Sequence, residues 1–347
     1  TVTQEWTGTV DAATWDVKTE DLESVPVDFP LERTHREILC DPAEVGKRIS
    51  ESLQRMSVDA TYDKAKAKCK TMECVTFRIR LYDGGVNGQP VVVEVQRRSG
   101  STSSFMRSCR AVLDAAEGIT DEAGSKAPKK FAPPPMNVSG MKCLQSVEVP
   151  ASDPEKDAKL AFDSASAMVK SGKYDSVVLG LQSLCNLTDP LKTSPRNAIL
   201  VSKWILFGEV SMRQDIMVRI QGKAEDDSED LALVFEQQKH FALIAIANAL
   251  EVCATDGCLR KEKSSSVETE LLPALVEVIE DASNRAGNAY NASRSIYSLL
   301  TGSDLSFNDH ADALKALQTA HEIGLESHDL LAGETRRCLD AATKNDL

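Results

Sequence analysis

The stretch Cys74-Val-Thr-Phe-Arg-Ile-Arg-Leu-Tyr82 decides the fold of the first third of the chain. Its apolar side chains, from Val75 to Leu81, alternate with polar ones, among them Arg78 and Arg80. This period of two is typical of a strand with one buried and one wet face, as in an antiparallel sheet. We therefore predict a half-exposed antiparallel sheet at this point of the sequence.

The residues on both sides extend this strand into an α+β module. A glycine-rich turn follows it, and the next strand, 90–97, places alternate valines on one face. Upstream, Asp41 as the N-cap and Pro42 at the first helical position predict the start of a helix. A second helix is predicted over 103–116. We expect an antiparallel sheet with two helices over residues 34–118.

Three features of this module carry a resemblance to a known family. They are Asp41-Pro42 with the amphipathic helix that runs to Met56, the strand pair, and the segment Val93–Gly100, in which a valine strand enters a basic-Ser-Gly turn before the helix with Phe105. In these features the module resembles the kinase-associated C-terminal domain of microtubule-affinity-regulating and AMP-activated-type kinases. The resemblance implies a four-stranded antiparallel sheet with two helices, and binding of anionic phospholipids through basic surface residues.

Ten basic side chains of the module are candidates for binding an anion or an anionic lipid surface. Four alternate lysines would lie on one side of an extended segment, and two arginines share the wet face of their strand. Each such cation near an anionic bilayer contributes about 1 kcal/mol. A solvated face without a ligand is the alternative interpretation. The candidates are Lys64, Lys66, Lys68, Lys70, Arg78, Arg80, Arg97, Arg98, Arg107 and Arg110.

The second half of the chain, residues 153–347, has a helical pattern throughout. Three stretches, 181–189, 245–250 and 295–300, share apolar helix ends rich in small residues. Through them the domain loosely resembles armadillo-like helical repeats, which implies a solenoid with a groove for peptides or partner proteins; an irregular helical bundle stays as the alternative. Helices are predicted near 154–171, 174–187, 195–207, 210–221, 229–254, 266–282, 286–301, 309–323 and 326–342.

Two further segments complete the predicted organisation. Residues 1–33 are acidic and are predicted to form an extended arm that packs, if at all, through Trp6 and Trp15. Residues 119–152 are rich in proline and are predicted to form a linker between the two domains.

Composition limits the classes of function. The net charge is −13, and residues 151–347 carry 20 basic and 31 acidic side chains, a balance of −11 that suits basic partners and repels nucleic acid. Aromatic residues make up only 5%, which also disfavours nucleic-acid binding. The nine cysteines are scattered singly and odd in number, so we expect an intracellular, cytoplasmic protein without a disulfide framework.

The sequence shows no motif for a cofactor, a metal or catalysis. Phosphate-binding and nucleotide-binding glycine loops are missing, and neither close cysteine pair has a second pair at zinc-ligand spacing. The most apolar short run of the helical half contains Trp204 and Phe207, which we take as candidate partner-binding residues, with a core helix as the alternative. We therefore expect a non-catalytic scaffold or adaptor that binds a partner protein. Peripheral binding to anionic membrane is the second hypothesis, and an enzyme of unrecognised type the third.

Overall fold

The structure, a computed structural model, contains an α+β module followed by an all-helical region, which confirms the predicted fold class. Among the helices of the described residues, none combines the length and the apolar character needed to cross a membrane. The predicted linker lies outside the described residues except for Ile119, and so does Trp6. The described residues are 14–25, 31–84, 91–119, 153–208, 210–222, 229–261, 265–303, 305 and 310–345.

The module contains one sheet with the strand order β2-β6-β5-β4-β3, in which all neighbours are antiparallel. The short strand β1 pairs in parallel with the end of β5. The two strands predicted from period-two alternation are β5 and β6. The antiparallel part has five strands, one more than the family resemblance implied. The bounds are β1 Glu23–Ser24, β2 His35–Ile38, β3 Asp59–Asp63, β4 Lys66–Lys70, β5 Thr76–Asp83 and β6 Val91–Ser99.

Two helices, α1 (Pro42–Arg55) and α2 (Thr102–Ala116), cover one face of this sheet. The start of α1 is as predicted, because Asp41 Oδ1 accepts a hydrogen bond from the Ala43 amide at 2.9 Å. Apolar side chains of both helices, such as Ile49 and Val112, pack with the odd-numbered residues of β5 and β6 to form the core of the module. The even-numbered residues of these strands therefore form the opposite face, which we call the outer face.

The segment before the module belongs to its core. Trp15 is 1% exposed, and its indole Nε1 donates to the Lys64 carbonyl at 2.7 Å. The indole ring also stacks on Tyr62, with ring centroids 5.4 Å apart. The backbone at Trp15 passes close to Gly46 on α1, where an added Cβ would clash with the Trp15 carbonyl oxygen. Only a glycine at this point of α1 leaves room for the segment.

From Asp153 on, every regular element of the described residues is a helix. Nine of them match the predicted helices to within four residues at their ends, and helix boundaries are the least certain part of such an assignment; the short α8 was not predicted. Their bounds are α3 Pro154–Lys170, α4 Tyr174–Leu187, α5 Pro195–Phe207, α6 Val210–Gln221, α7 Glu229–Thr255, α8 Cys258–Lys261, α9 Ser265–Glu280, α10 Ala286–Gly302, α11 Ala311–Ser327 and α12 Asp329–Asn345.

The three stretches that share a sequence style lie side by side. They belong to α4, α7 and α10, which are every third helix, and α7 packs between the other two. Their apolar residues, among them Leu184, Ala249 and Leu299, join a single hydrophobic core. The helical region therefore has a helical-repeat character, which the similarity of these stretches had indicated.

Candidate partner-binding groove

The groove is built on α7, which lies at the centre of the helical region. Ala245, Ile246, Ala249 and Leu250 are all fully buried, because α4, α5 and α10 pack around this helix. A helix that is apolar on most sides is typical of a protein interior. Polar residues of its last turns, beginning with Asn248, then mark where the helix reaches the surface.

A groove of about 590 Å³ opens between the end of α7 and the loop that joins α4 to α5. One wall is apolar and contains Leu191, which is 94% exposed, together with Pro195 and Ile199. The loop has a defined local fold, since Asp189 Oδ1 accepts a hydrogen bond from the Leu191 amide at 2.9 Å, as in an Asx turn. This turn holds an apolar side chain at the mouth of the groove.

The opposite wall is polar and centres on Arg294 of α10. Its Nη2 donates to Glu251 Oε2 at 2.6 Å and to Asn248 Oδ1 at 3.1 Å. The guanidinium group also lies 5.8 Å from the centre of the Tyr290 ring. The Asn248 amide in turn donates to the Cys185 carbonyl at 3.3 Å, which connects this wall to α4. These contacts fix the position of the arginine, so the polar wall is preorganised.

Three carboxyl side chains frame the groove. The side chain of Glu251 is 59% exposed, although it is paired with Arg294. Asp189 and Asp256 lie at the other edges, each with a lysine ammonium nearby, at 3.7 and 3.5 Å respectively. The hydrogen bond from the Cys258 thiol holds the pKa of Asp256 below its ordinary value. The arrangement is therefore an apolar wall with a rim of three carboxyl groups, each paired with a cation of the chain, so a cation of a ligand reaches them only by replacing Arg294, Lys192 or Lys203.

Sequence reasoning did not find the groove residues, because they come from three segments far apart in the chain. Leu191, Asn248 and Arg294 share no local pattern. One usable signal was present: Asn248 interrupts the apolar run 241–250, and a polar side chain in such a run indicates a specific contact.

The predicted partner-binding residues of α5 lie outside this groove. Trp204 is half-buried and lines a second, smaller cavity of about 400 Å³ between α3, α5 and α6. Its ring lies 5.5 Å from Phe162, and the Lys159 ammonium lies 5.4 Å from its ring centre. Phe207 packs, half-buried, against the helical core. Trp204 is therefore accessible from a cavity, whereas Phe207 contributes to the packing of the helical core.

Five of the ten predicted basic residues meet on the outer face of the sheet. Lys66 lies directly opposite Arg80, and Lys68 lies directly opposite Arg78, on the neighbouring strands β4 and β5. Lys70 continues the row, and all five are partly exposed. Three acidic residues on the flanking strands offset part of this charge: Asp59, Asp63 and Glu94.

The other five basic residues are dispersed. Lys64 lies in the turn between β3 and β4, and Arg97 and Arg98 lie exposed at the end of β6. Arg107 and Arg110 are exposed on α2, on the opposite side of the sheet from the outer face, and Arg107 pairs with Glu73 at 3.0 Å. The structure therefore does not bring all ten candidates into one patch.

No known protein family model matches this chain, and no curated protein sequence matches it. Among the described residues, no three His, Cys, Asp or Glu side chains are grouped so that they could hold a metal ion.

Proposed function

We propose that this protein is a non-catalytic adaptor whose helical region binds a segment of a partner protein in the groove between α7 and the α4–α5 loop. The observation that carries the proposal is the exposed Leu191 wall beside a preorganised polar wall. Binding sites are commonly concave, mostly apolar, and equipped with a few fixed polar groups that orient the ligand. A volume of about 590 Å³ lies inside the range of roughly 300–1,000 Å³ typical of such sites.

Charge complementarity indicates the chemistry of the partner segment. The rim carries Asp189, Glu251 and Asp256, and the surrounding half of the chain has a charge balance of −11. An extended segment with an apolar side chain flanked by Lys or Arg fits both walls. Its apolar side chain would pack on Leu191, and its cations would compete with Lys203 and Lys192 for the rim carboxylates.

The test is a selection of displayed random peptides on the full-length chain, followed by affinity measurements with the enriched peptides. We expect enrichment of peptides that combine apolar and basic residues, and binding that weakens as the salt concentration rises. Leu191→Asp should weaken binding about tenfold or more, because it places a charge in the apolar wall. Leu160→Asp is the matched control, since Leu160 is 69% exposed on α3 and does not line the groove.

Two results would count against the adaptor proposal. One is a selection that enriches no common peptide chemistry. The other is an equal loss of affinity in the Leu191→Asp and Leu160→Asp variants, since the groove would then not be the binding site.

A second candidate function, binding to an anionic lipid surface, is favoured by the outer face of the sheet. Like charges directly opposite each other on neighbouring strands destabilise a sheet, and Lys66 with Arg80 and Lys68 with Arg78 form two such pairs. Lys66 is already paired with Glu23 at 2.8 Å, so an anion bound over β4 and β5 would add to the partners that these cations have within the chain. Each cation that reaches the lipid headgroups contributes about 1 kcal/mol.

Flotation of the full chain with neutral and anionic vesicles tests this second function. We expect recovery with anionic vesicles only, and a loss of about tenfold for Arg78→Glu, which reverses a charge at the centre of the face. Arg110→Glu changes the same charge on α2, on the opposite side of the sheet, and should leave recovery unchanged. Equal recovery with neutral and anionic vesicles would exclude the function.

A further inference from the structure

The module caps two helices of the helical region. Asp59 Oδ1 on β3 accepts a hydrogen bond from the Gly287 amide at 3.1 Å, and Ser57 Oγ accepts one from the Leu330 amide at 2.9 Å. Both amides lie in the first turn of their helices, α10 and α12, where an amide has no acceptor within its own helix. The first turns of α10 and α12 thus depend on the module for these two hydrogen bonds.

The turn between β4 and β5 provides a third contact. The Met72 carbonyl accepts a hydrogen bond from His240 Nε2 on α7 at 2.9 Å. The Met72 sulfur also lies close to α10, so that a Cβ added to Gly287 would be 2.8 Å from it. A fourth hydrogen bond joins Gln54 Nε2 of α1 to the Leu325 carbonyl at 2.8 Å.

This interface is polar and is separate from both hydrophobic cores. The core of the module and the core of the helical region share no residue among those described. Domains that have their own cores and meet through a polar interface are expected to move relative to each other. A hydrogen bond contributes about 1 kcal/mol net, so these four contacts give a weak association.

Buried polar groups make the docked arrangement weaker still. His328 is fully buried, and its Nδ1 accepts from the Leu331 amide, so the ring proton is on Nε2. That Nε2 lies 3.9 Å from Asp59 Oδ1 and has a backbone contact with Ser57. Burial lowers the pKa of His328 to about 4, because the docked position disfavours the charged imidazolium. Burial also raises the pKa of Asp59 to about 6, because the docked position disfavours its ionised form.

We propose that the module is a reversible latch on the helical region, docked through Asp59, Ser57 and Met72 and released as one unit while both cores stay folded. Both parts belong to one polypeptide chain, so docking is intramolecular and a weak contact is sufficient for it. The proposal goes beyond the partner-binding function and does not depend on it. Both proposals involve α7 and α10, because each of these helices carries residues that line the groove and residues that contact the module.

Amide hydrogen exchange of the full chain, resolved at single residues, tests the latch. The informative amides are those of Gly287 and Leu330, because each is protected by a different residue of the module. The amides of two buried residues, Ile296 on α10 and Cys338 on α12, report the stability of the same two helices. If the module leaves as one unit, a change at either contact must alter exchange at both amides.

Asp59→Arg is the main variant, since it places a cation against the first turn of α10 and near Arg285. We expect about tenfold faster exchange at Leu330 as well as at Gly287, without a change at Ile296 and Cys338. Asp63→Arg is the matched control, because Asp63 lies on the same strand, opposite Lys66. It should leave all four amides unchanged.

Gly287→Ala is an independent variant from the other side of the interface. Its methyl group meets the Met72 sulfur, while alanine favours the helix more than glycine does. It should accelerate exchange at Leu330 about tenfold, and Gly333→Ala, where a Cβ meets nothing within 4 Å, should not. Three results in the Asp59→Arg variant would each overturn the latch. They are faster exchange at Gly287 alone, unchanged exchange at both Gly287 and Leu330, and exchange at Ile296 and Cys338 that is accelerated as much as at these two amides.

Discussion

Replacing Trp15 by alanine is expected to lower the free energy of unfolding of the module by about 4 kcal/mol, within the range measured for large buried side chains. The indole is 1% exposed, stacks on Tyr62 and donates a hydrogen bond to the Lys64 carbonyl. Alanine would remove the ring contacts and leave the Lys64 carbonyl without this donor. The gap cannot close easily, because the backbone of the segment is held against Gly46.

The measurement is urea unfolding of the full chain, with the transition of the module followed by its far-ultraviolet signal. Trp15→Phe is the matched variant, since it keeps a six-membered aromatic ring and loses the hydrogen bond and part of the ring volume, for an expected loss of about 2 kcal/mol. A midpoint for Trp15→Ala equal to that of the wild type would mean that residues 14–25 do not belong to the module. An equal loss in both variants would mean that the ring itself contributes little.

The helical part of the fold was predictable because its signals are local. Asp153, Ser194 and Asp41 each precede a proline and each accept a hydrogen bond from an amide of the helix that follows. An N-cap with proline at the first position fixes a helix start within a few residues of sequence. The apolar periodicity after each start then gives the face that is buried.

Among the strands that were not predicted, β3 and β4 have sequences that lack strand character. β3 and β4 place Ala60, which is partly buried, and the buried Ala67 and Cys69 towards the core, and mainly charged residues on the outer face. Alanine, lysine and aspartate are all depleted in strands, so this conformation depends on the pairing of β4 with β5 and of β3 with β4. The alternate lysines indicated an extended segment but not its partners.

The groove and the latch were not predictable for a related reason. Both depend on contacts between residues far apart in the chain, such as Arg294 with Asn248 and Gly287 with Asp59. Charge counting found the acidic character of the helical half, but no local pattern indicates which carboxylates face a common groove. His240 is buried, and its contact with the Met72 carbonyl likewise joins residues far apart in the chain.

Asp59→Asn is expected to stabilise the docked protein at about pH 8 by about 2 kcal/mol, and to have almost no effect at about pH 4. Burial between β3 and α10 raises the pKa of Asp59 from 3.8 to about 6, while Lys70 and Arg285 favour the ionised form and Glu236 opposes it. The contribution of this carboxyl group to docking is fully present below pH 3.8 and is lost as the pH rises through about 6. Asparagine cannot ionise, and its Oδ1 can still accept from Gly287.

The expected size of this stabilisation follows from the ordinary pKa of Asp59, 3.8, and its pKa of about 6 in the docked protein. Their difference corresponds to about 3 kcal/mol, and about 2 kcal/mol is expected because the side chain is still one quarter exposed to water. The measurement is urea unfolding of the full chain at both pH values, with Asp63→Asn as the control on the same strand. A gain of equal size at both pH values, or no gain at pH 8, would contradict the assignment of this cost to the Asp59 charge.

The same variant should change how docking responds to acid. Burial lowers the pKa of His328 to about 4, so its contribution is present above the ordinary value of 6.5 and is lost as the pH falls through about 4. In the wild type, the pH dependence that comes from His328 opposes the one that comes from Asp59. As the pH falls through about 6, Asp59 takes up a proton in the docked state, which favours docking. Over the same range the imidazole takes up a proton only in the undocked state, which disfavours docking. Docking of the wild type should therefore vary little between about pH 4 and pH 6.5, apart from the effect of His240, whose pKa is also lowered by burial. Without the carboxyl group, the contribution that opposes that of His328 is removed, so acid should release the module of Asp59→Asn more readily than that of the wild type.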